Sequence, residues 1–419
     1  MASFKPFVPP RGPLTGLRVV DFSWVVAGPQ ATRVLADFGA EVIRLEYEAR
    51  IDPSRSGDAA ATAASGSVNG GLLFNHFNRN KRSFSINAVH PQGLDLIKRL
   101  IAISDVVVEN FRAHVLDSWG LGYEAMQRAR PDIIYCSLSG FGHSGRDRGF
   151  STWGPTAQAN AGLTIMSGLP GQAPAGWGFS YMDHTAGYYA AAAVLMALHH
   201  RNRTGEGQYI DISQIETGLV LTGPAVLDYT VNGRPYRRPG NPPGNRSEHP
   251  AVAPHGVYPC AGEDRWIAIA AFNQGQWAAL RSAMGDPDWS KQPAFDGAAA
   301  RVEHQDELDQ RISEWTRLHE ARPLMVQLQG LGIAAGMVQN AQDRMEDDPQ
   351  LRERGAYAEL VSAELGVALH EVPTPKLSRT PGDLRMPPPL FGEDSSYVLQ
   401  DLLGLTDDAV VELTAGGVF

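Results

Sequence analysis

The chain has 419 residues, 43% of them hydrophobic and 20% charged, with a formal net charge of −10. That balance describes a globular protein with a sizeable core, whose overall field repels nucleic acid and anionic lipid, so an anionic ligand would need a local basic cluster. Cys136 and Cys260 both sit in apolar surroundings and read as buried thiols rather than a disulfide framework; residues 1–14 lack the apolar segment of a leader, and no run of about 18 apolar residues suggests a membrane span, so a cytoplasmic protein is expected.

"GLRVVDF" (Gly16–Phe22) is a short apolar run and predicts a buried strand. A loop with Gly28 and Pro29 follows, then "PQATRVLADFG", a helical pattern stopped by Gly39. "AEVIRLE" (Ala40–Glu46) completes a βαβ unit, which implies a parallel sheet and a right-handed crossover. The alternation continues. "RSFSIN" is a strand, "HPQGLDLIKRLIAIS" a helix, "DVVVENF" a strand, "YEAMQRARP" a helix and "DIIYCSLSGFG" a strand. An open α/β sheet is expected over about the first 150 residues. "VNGRPYRRPGNPPGNRSEHPAVAPHG" (Val231–Gly256) is too rich in Pro, Gly and Asn for an element interior. Beyond it lie strands in "GVYPC" and "RWIAIAAF", a helix from about Asn273 and another in "DELDQRISEWTRLH". "GIAAGMVQ" reads as a strand returning to the first sheet, and a proline-rich stretch precedes a short helix at Ser395–Leu403. The expected organisation is a large domain from 1–224 and 336–419, with a smaller α+β domain at 225–335. No internal repeat is visible.

Several chemistries fail on local sequence. Glu46 ends the second strand, where a ribose-binding acid would sit, but the turn "DFSWVVAGPQ" lacks the glycine pattern that admits a pyrophosphate. A phosphate-binding P-loop motif is absent. The pairs His199/His200 and His249/His255 have no acids or cysteines at ligand spacing, so no metal is expected. Ser137 and Ser139 lack a nucleophile elbow.

Taken in order, "PLTGLRVVDFSWVVAGPQATRVLADFGAEVIRLE", "NRNKRS", "VVVENFR", "YCSLSGFG", Asp183 with its helix, "RNRTGEGQYIDIS", "DDPQLRERG" and "LSRTPGDLR" resemble the class III CoA-transferases, the group that includes formyl-CoA and carnitine CoA-transferase. The resemblance runs over nearly the whole chain. It implies a Rossmann-like large domain made from both chain ends, a small middle domain and two subunits interlocked as a dimer. Composition and periodicity carry none of that interlocking.

Within "GFSYMDHTAGYYAAAAVLMALHHR" (Gly178–Arg201), Asp183 reads by itself as a helix N-cap. The resemblance makes it the covalent nucleophile. A helix N-terminus would favour its ionised form, which an attack on an acyl-CoA thioester needs. Coenzyme A is then a substrate and no permanently bound cofactor is expected. Gly140 and Gly142 in "SLSGFG", and the glycines of "RRPGNPPGN" (Arg237–Asn245), are candidate oxyanion donors. The expected CoA contacts are Val26, Ala27, Arg79, Lys81, Arg82, Asn110, Phe111, Arg112 and Phe141. Arg237, Arg238 or Arg246 would hold a second substrate carboxylate.

The chain also departs from the family pattern. Trp24 and Val26 stand where His and Gln are common, "RPG" after "NF" becomes Arg112-Ala113-His114, and Ser118 and Gly142 replace an expected base and acid. Formyl-CoA and oxalate are therefore poor substrate choices. Trp177, Tyr181 and Tyr188 suit a larger acyl group, and the middle stretch is most similar to enzymes that use succinyl-CoA with malate or benzylsuccinate. An α-methylacyl-CoA racemase shares the fold but needs a histidine where this chain has Trp153. The expected partners are an acyl-CoA and a small carboxylic acid. The chain is read as a homodimer, with a heteromeric partner chain as the other arrangement.

Overall fold

The computed structural model describes residues 12–56 and 67–419. Most of the stretch read for a leader lies outside the described residues. The chain forms two compact units, one taking the chain up to Thr164, Gly176–Val226 and Arg352–Phe419, the other Ile165–Ala175 and Leu227–Leu351.

The first unit is built on the strands anticipated from sequence: β1 (Arg18–Asp21), β2 (Glu41–Glu46), β3 (Lys81–Ser85), β4 (Val106–Glu109) and β5 (Ile134–Ser139). A sixth, β6 (Tyr209–Ser213), comes from the "QYIDIS" stretch. The order is β3-β2-β1-β4-β5-β6, with every neighbouring pair parallel. The chain moves outward from β1 to β3, then crosses back to β4 beside β1. Both faces of such a sheet are covered at its centre, where β1 and β4 carry runs of valine. On one face Val20, Ile43, Leu45, Phe84 and Val107 pack with Leu96, Ile97 and Leu100 of a helix at Pro91–Ala102. On the other, Val19, Val42, Val106 and Val108 meet α1 (Ala27–Asp37) and α2 (Tyr181–Thr204). Small residues let these two helices approach: a Cβ on Gly187 would stand 2.7 Å from the Ala27 carbonyl oxygen. The C-terminal stretch returns to this unit, where Tyr397 donates to Glu41 at 2.6 Å and Arg82 to Asp394 at 2.7 Å.

The second unit holds a three-stranded antiparallel sheet of β7 (His255–Pro259), β8 (Trp266–Ala270) and β9 (Ala334–Met337). This corrects the expectation for "GIAAGMVQ". Its strand β9 pairs antiparallel with β8 and does not join the large sheet. Helices at Gln274–Ala283, Gln305–Thr316 and Ala321–Gly330 pack Trp277, Leu280, Leu308, Ile312, Leu324 and Leu328 against that sheet. A hairpin at Tyr357–Ser362 and Gly366–Glu371, absent from the sequence reading, belongs to the first unit. Among the described residues no helix is long and apolar enough to cross a membrane.

Candidate active site

In a parallel sheet with this strand order, the crossovers leave β1 and β4 in opposite directions and open a crevice at their carboxyl ends. A cavity of about 400 Å³ lies there in the first unit. Its wall is made by Trp24, Val25 and Val26 after β1, Asn110, Phe111 and Arg112 after β4, Ser139 and Gly140 after β5, and Asp183 and Gln214 from the helices beyond.

The turn after β1 is held tightly. Val25 has φ +65°, a left-handed conformation that a β-branched residue rarely adopts. The Asn110 carboxamide clamps Trp24 from both sides, accepting its N–H at 2.8 Å and donating to its carbonyl at 2.8 Å. Asp52 accepts the Val25 N–H at 3.1 Å, and Arg44 donates to the Ser23 carbonyl at 2.6 Å. Asn110 thus lines the cavity with its amide already committed to the turn.

Glu109 positions the next loop by accepting the Phe111 N–H at 2.7 Å and the Tyr135 hydroxyl at 3.1 Å. Burial pushes its carboxyl up to about 8, and burial pushes the His143 imidazole, 3.3 Å away, down from its ordinary value. Both groups are driven towards their neutral forms. Phe111 meets Trp24 and Trp119 edge-on at 5.5 and 5.7 Å, which makes one side of the cavity aromatic.

Asp183 is not the cap of α2. Ser180 takes that place, and the Asp183 N–H donates to the Ser180 carbonyl at 3.0 Å. The carboxylate accepts from Gln214 Nε2 at 2.9 Å through Oδ1. Oδ2 lies against Gly154, where any Cβ would intrude on it. Burial pushes the Asp183 carboxyl above the ordinary carboxylate range, against the Gln214 and Ser180 hydrogen bonds that pull it down. This corrects the expectation that the helix end governs its ionisation: desolvation outweighs the local donors. The Ser139 hydroxyl, 7% exposed, also lines the cavity and has no hydrogen-bond partner among the described residues.

The basic residues divide differently from the expectation. Lys81 is fully buried, with Nζ 3.1 Å from Asp21 and 2.9 Å from Asn78 Oδ1. Arg79 is buried on Asp37 at 2.8 Å, and Arg82 pairs with Asp394 and lies over the Tyr397 ring. None of the three lines the cavity. The cations that do are Arg112 and Arg50; both are exposed, neither has a carboxylate partner among the described residues, and Arg50 stacks over Trp24 at 5.4 Å. Arg50 and Gln214 escaped sequence reading, the first lying in a short helical turn without a motif, the second following a strand that was not anticipated.

Ala27, Phe141 and Gly142 stand beside the cavity rather than in its wall; Phe141 packs edge-on against Phe150, which does line it. Trp177 and Tyr181 meet edge-on at 4.8 Å, and with Tyr188 they stay outside the wall. In the second unit, Arg237 donates to the carbonyls of Ile165, Ser167 and Gln172, Arg238 pairs with Asp228, and Arg246 is held by Asp306 and Asp309. All three guanidiniums are thus occupied by protein groups.

Comparison with known proteins agrees with this arrangement. The signature of CoA-transferase family III matches residues 14–395. A succinyl-CoA–D-citramalate CoA-transferase of Chloroflexus aurantiacus is 36% identical over 97% of this chain and 98% of its own. A succinate–glutarate CoA-transferase of Agrobacterium fabrum is 33% identical over 94% and 96%. The crystal structure of a CaiB/BaiF family protein from Brucella suis superposes with a TM-score of 0.84 at 28% identity, covering 94% of this chain and all of the other. An open parallel sheet whose switch point holds an acid and two exposed arginines thus coincides with a match along almost the full length, and the chain belongs to CoA-transferase family III.

Proposed function

We propose that this enzyme moves CoA from an acyl-CoA, with succinyl-CoA as donor, to a dicarboxylic or aryl-substituted acid, and that Asp183 is the covalent nucleophile. The observation that carries the reading is a desolvated carboxylate in the wall of the switch-point cavity, with one oxygen held and the other beside a glycine. A carboxylate stripped of water is a stronger nucleophile towards a thioester than a hydrated one, and a dry site protects the anhydride from hydrolysis. Arg50 and Arg112, which line the cavity and have no carboxylate partner among the described residues, are placed to meet the phosphates of CoA or the distal carboxylate of a succinyl group. The dicarboxylate class follows relatives whose names specify citramalate and glutarate.

Among the described residues lining the cavity there is no histidine, so the second proton-transfer group of a racemase has no candidate there. Exposed apolar side chains on α2 (Tyr188, Tyr189, Leu195, Met196) fit a face covered by a second subunit. Relatives named as alpha and beta subunits leave a heteromer as the other arrangement, which native mass spectrometry of the purified chain separates from a homodimer. Two free, buried thiols suit a cytoplasmic setting.

The test is to incubate the protein with succinyl-CoA, add hydroxylamine and map the modified peptide by mass spectrometry. Asp183 should carry the label, and Asp183→Ala should lose at least ~10³-fold in exchange rate. Normal exchange by Asp183→Ala removes the nucleophile assignment.

A further inference from the structure

We propose that Gln214 is a catalytic residue, its carboxamide serving as the oxyanion donor to Asp183 Oδ1 each time the aspartyl carbon is attacked. The inference rests on Asp183 being the nucleophile proposed above. A carboxylate can only accept, so the amide nitrogen of Gln214 must be the atom facing Oδ1 at 2.9 Å. The donor is also fixed in advance. Gln214 is 5% exposed and opens a helix (Gln214–Leu221) immediately after β6. Its two chain neighbours are tied to the strand-end loop, the Ser213 hydroxyl and the Ile215 N–H each donating to the Gly140 carbonyl at 3.1 Å. A donor held this way needs no reorganisation during reaction, which is the condition under which a single hydrogen bond contributes most.

The contact makes the two carboxylate oxygens different. Oδ1 is engaged by Gln214, while Oδ2 lies beside Gly154. In the proposed sequence Oδ2 is the attacking atom. It bonds to the thioester carbonyl carbon, the C–S bond breaks, and CoA leaves as thiolate. The thiolate then attacks Cγ of Asp183. The π pair of the Cγ–Oδ1 bond moves onto Oδ1, and that oxyanion is the charge which the Gln214 N–H meets. Collapse breaks the Cγ–Oδ2 bond, releases the first acid as a carboxylate and leaves a thioester at Cγ. The acceptor carboxylate runs the same sequence in reverse, with the charge again on Oδ1. No proton changes hands, so a neutral donor suffices. A lysine or arginine in this place would ion-pair with the resting carboxylate and hold its basicity down.

Full-length Gln214→Leu and Gln214→Glu are assayed by exchange of ¹³C-succinate into succinyl-CoA. Both should lose about 10²–10³-fold in kcat, the range for loss of one oxyanion donor, with parent-like circular dichroism. Both should also shift the acid limb of kcat/KM to higher pH, because the hydrogen bond that favours the ionised carboxylate is gone. The shift is larger for Gln214→Glu, whose own charge opposes that of Asp183. A side chain that only packed the fold, without donating to Asp183, would leave this limb in place. If Gln214→Leu fails to fold, Gln214→Glu keeps the side-chain shape and decides the matter. A folded variant exchanging within about threefold of the parent, with its acid limb unmoved, overturns the proposal. The two readings fail separately. A parent enzyme without label on Asp183 sinks the nucleophile, whereas labelled Asp183 with unaffected Gln214 variants sinks only the role of Gln214.

Discussion

Lys81 and Arg112 are both basic residues near the ends of strands in one sheet, and the fold treats them in opposite ways. Lys81 opens β3 and is sealed against Asp21, inside a network that includes Arg44, Glu46, Asp52 and Arg55. Burial pulls its ammonium down to about 8 despite the neighbouring carboxylate. Arg112 follows β4 into the cavity wall, stays exposed and meets no acid among the described residues. A cation becomes available to a ligand where the fold withholds a partner. In an acidic protein that withholding is the more informative event.

Three measurements can break or sharpen this contrast. The largest effect should come from Lys81→Ala, which leaves Asp21 charged in the core and should cost about 3–5 kcal/mol of stability in urea unfolding. A variant as stable as the parent would show that the pair is not structural. Arg112→Ala should leave the urea midpoint unchanged and raise KM for the acyl-CoA by ~10–100-fold, the loss of one charge-assisted hydrogen bond. A fall in stability with unchanged KM would reverse the assignment. The smallest effect should come from salt. Raising ionic strength from ~0.05 to ~0.5 M should raise the parent KM a few-fold and that of Arg112→Ala less, because exposed charges are screened while buried pairs are screened much less.

Strands β1 to β5 of the first unit could be read from sequence because short apolar or β-branched stretches alternate there with helical patterns, with Gly39 marking the end of α1; β6 could not. The pairing of β9 could not. A four-residue apolar strand looks the same in a parallel or an antiparallel neighbourhood, and only the fold shows that Ile267 faces Met337. The motif "NRNKRS" shows three charges but not the acids that neutralise them, since Asp21, Asp37 and Asp394 lie far away in the chain. Asp183 stood out through its helix. Gln214, 31 residues later, makes sense only once β6 and the helix after it bring the two side chains together.

Asp52 belongs to the sealed ionic network through Arg44, yet the same carboxylate oxygen also accepts the N–H of Val25 in the cavity wall. Replacing a buried network of this kind with hydrocarbon often leaves a protein as stable or more so. Here such a redesign would release a valine held in a conformation that costs about 1–3 kcal/mol, and the entrance it shapes would relax. Engineers seeking a heat-resistant form should look elsewhere in the molecule, because at this spot the sealed network and the shape of the cavity wall share a single oxygen atom.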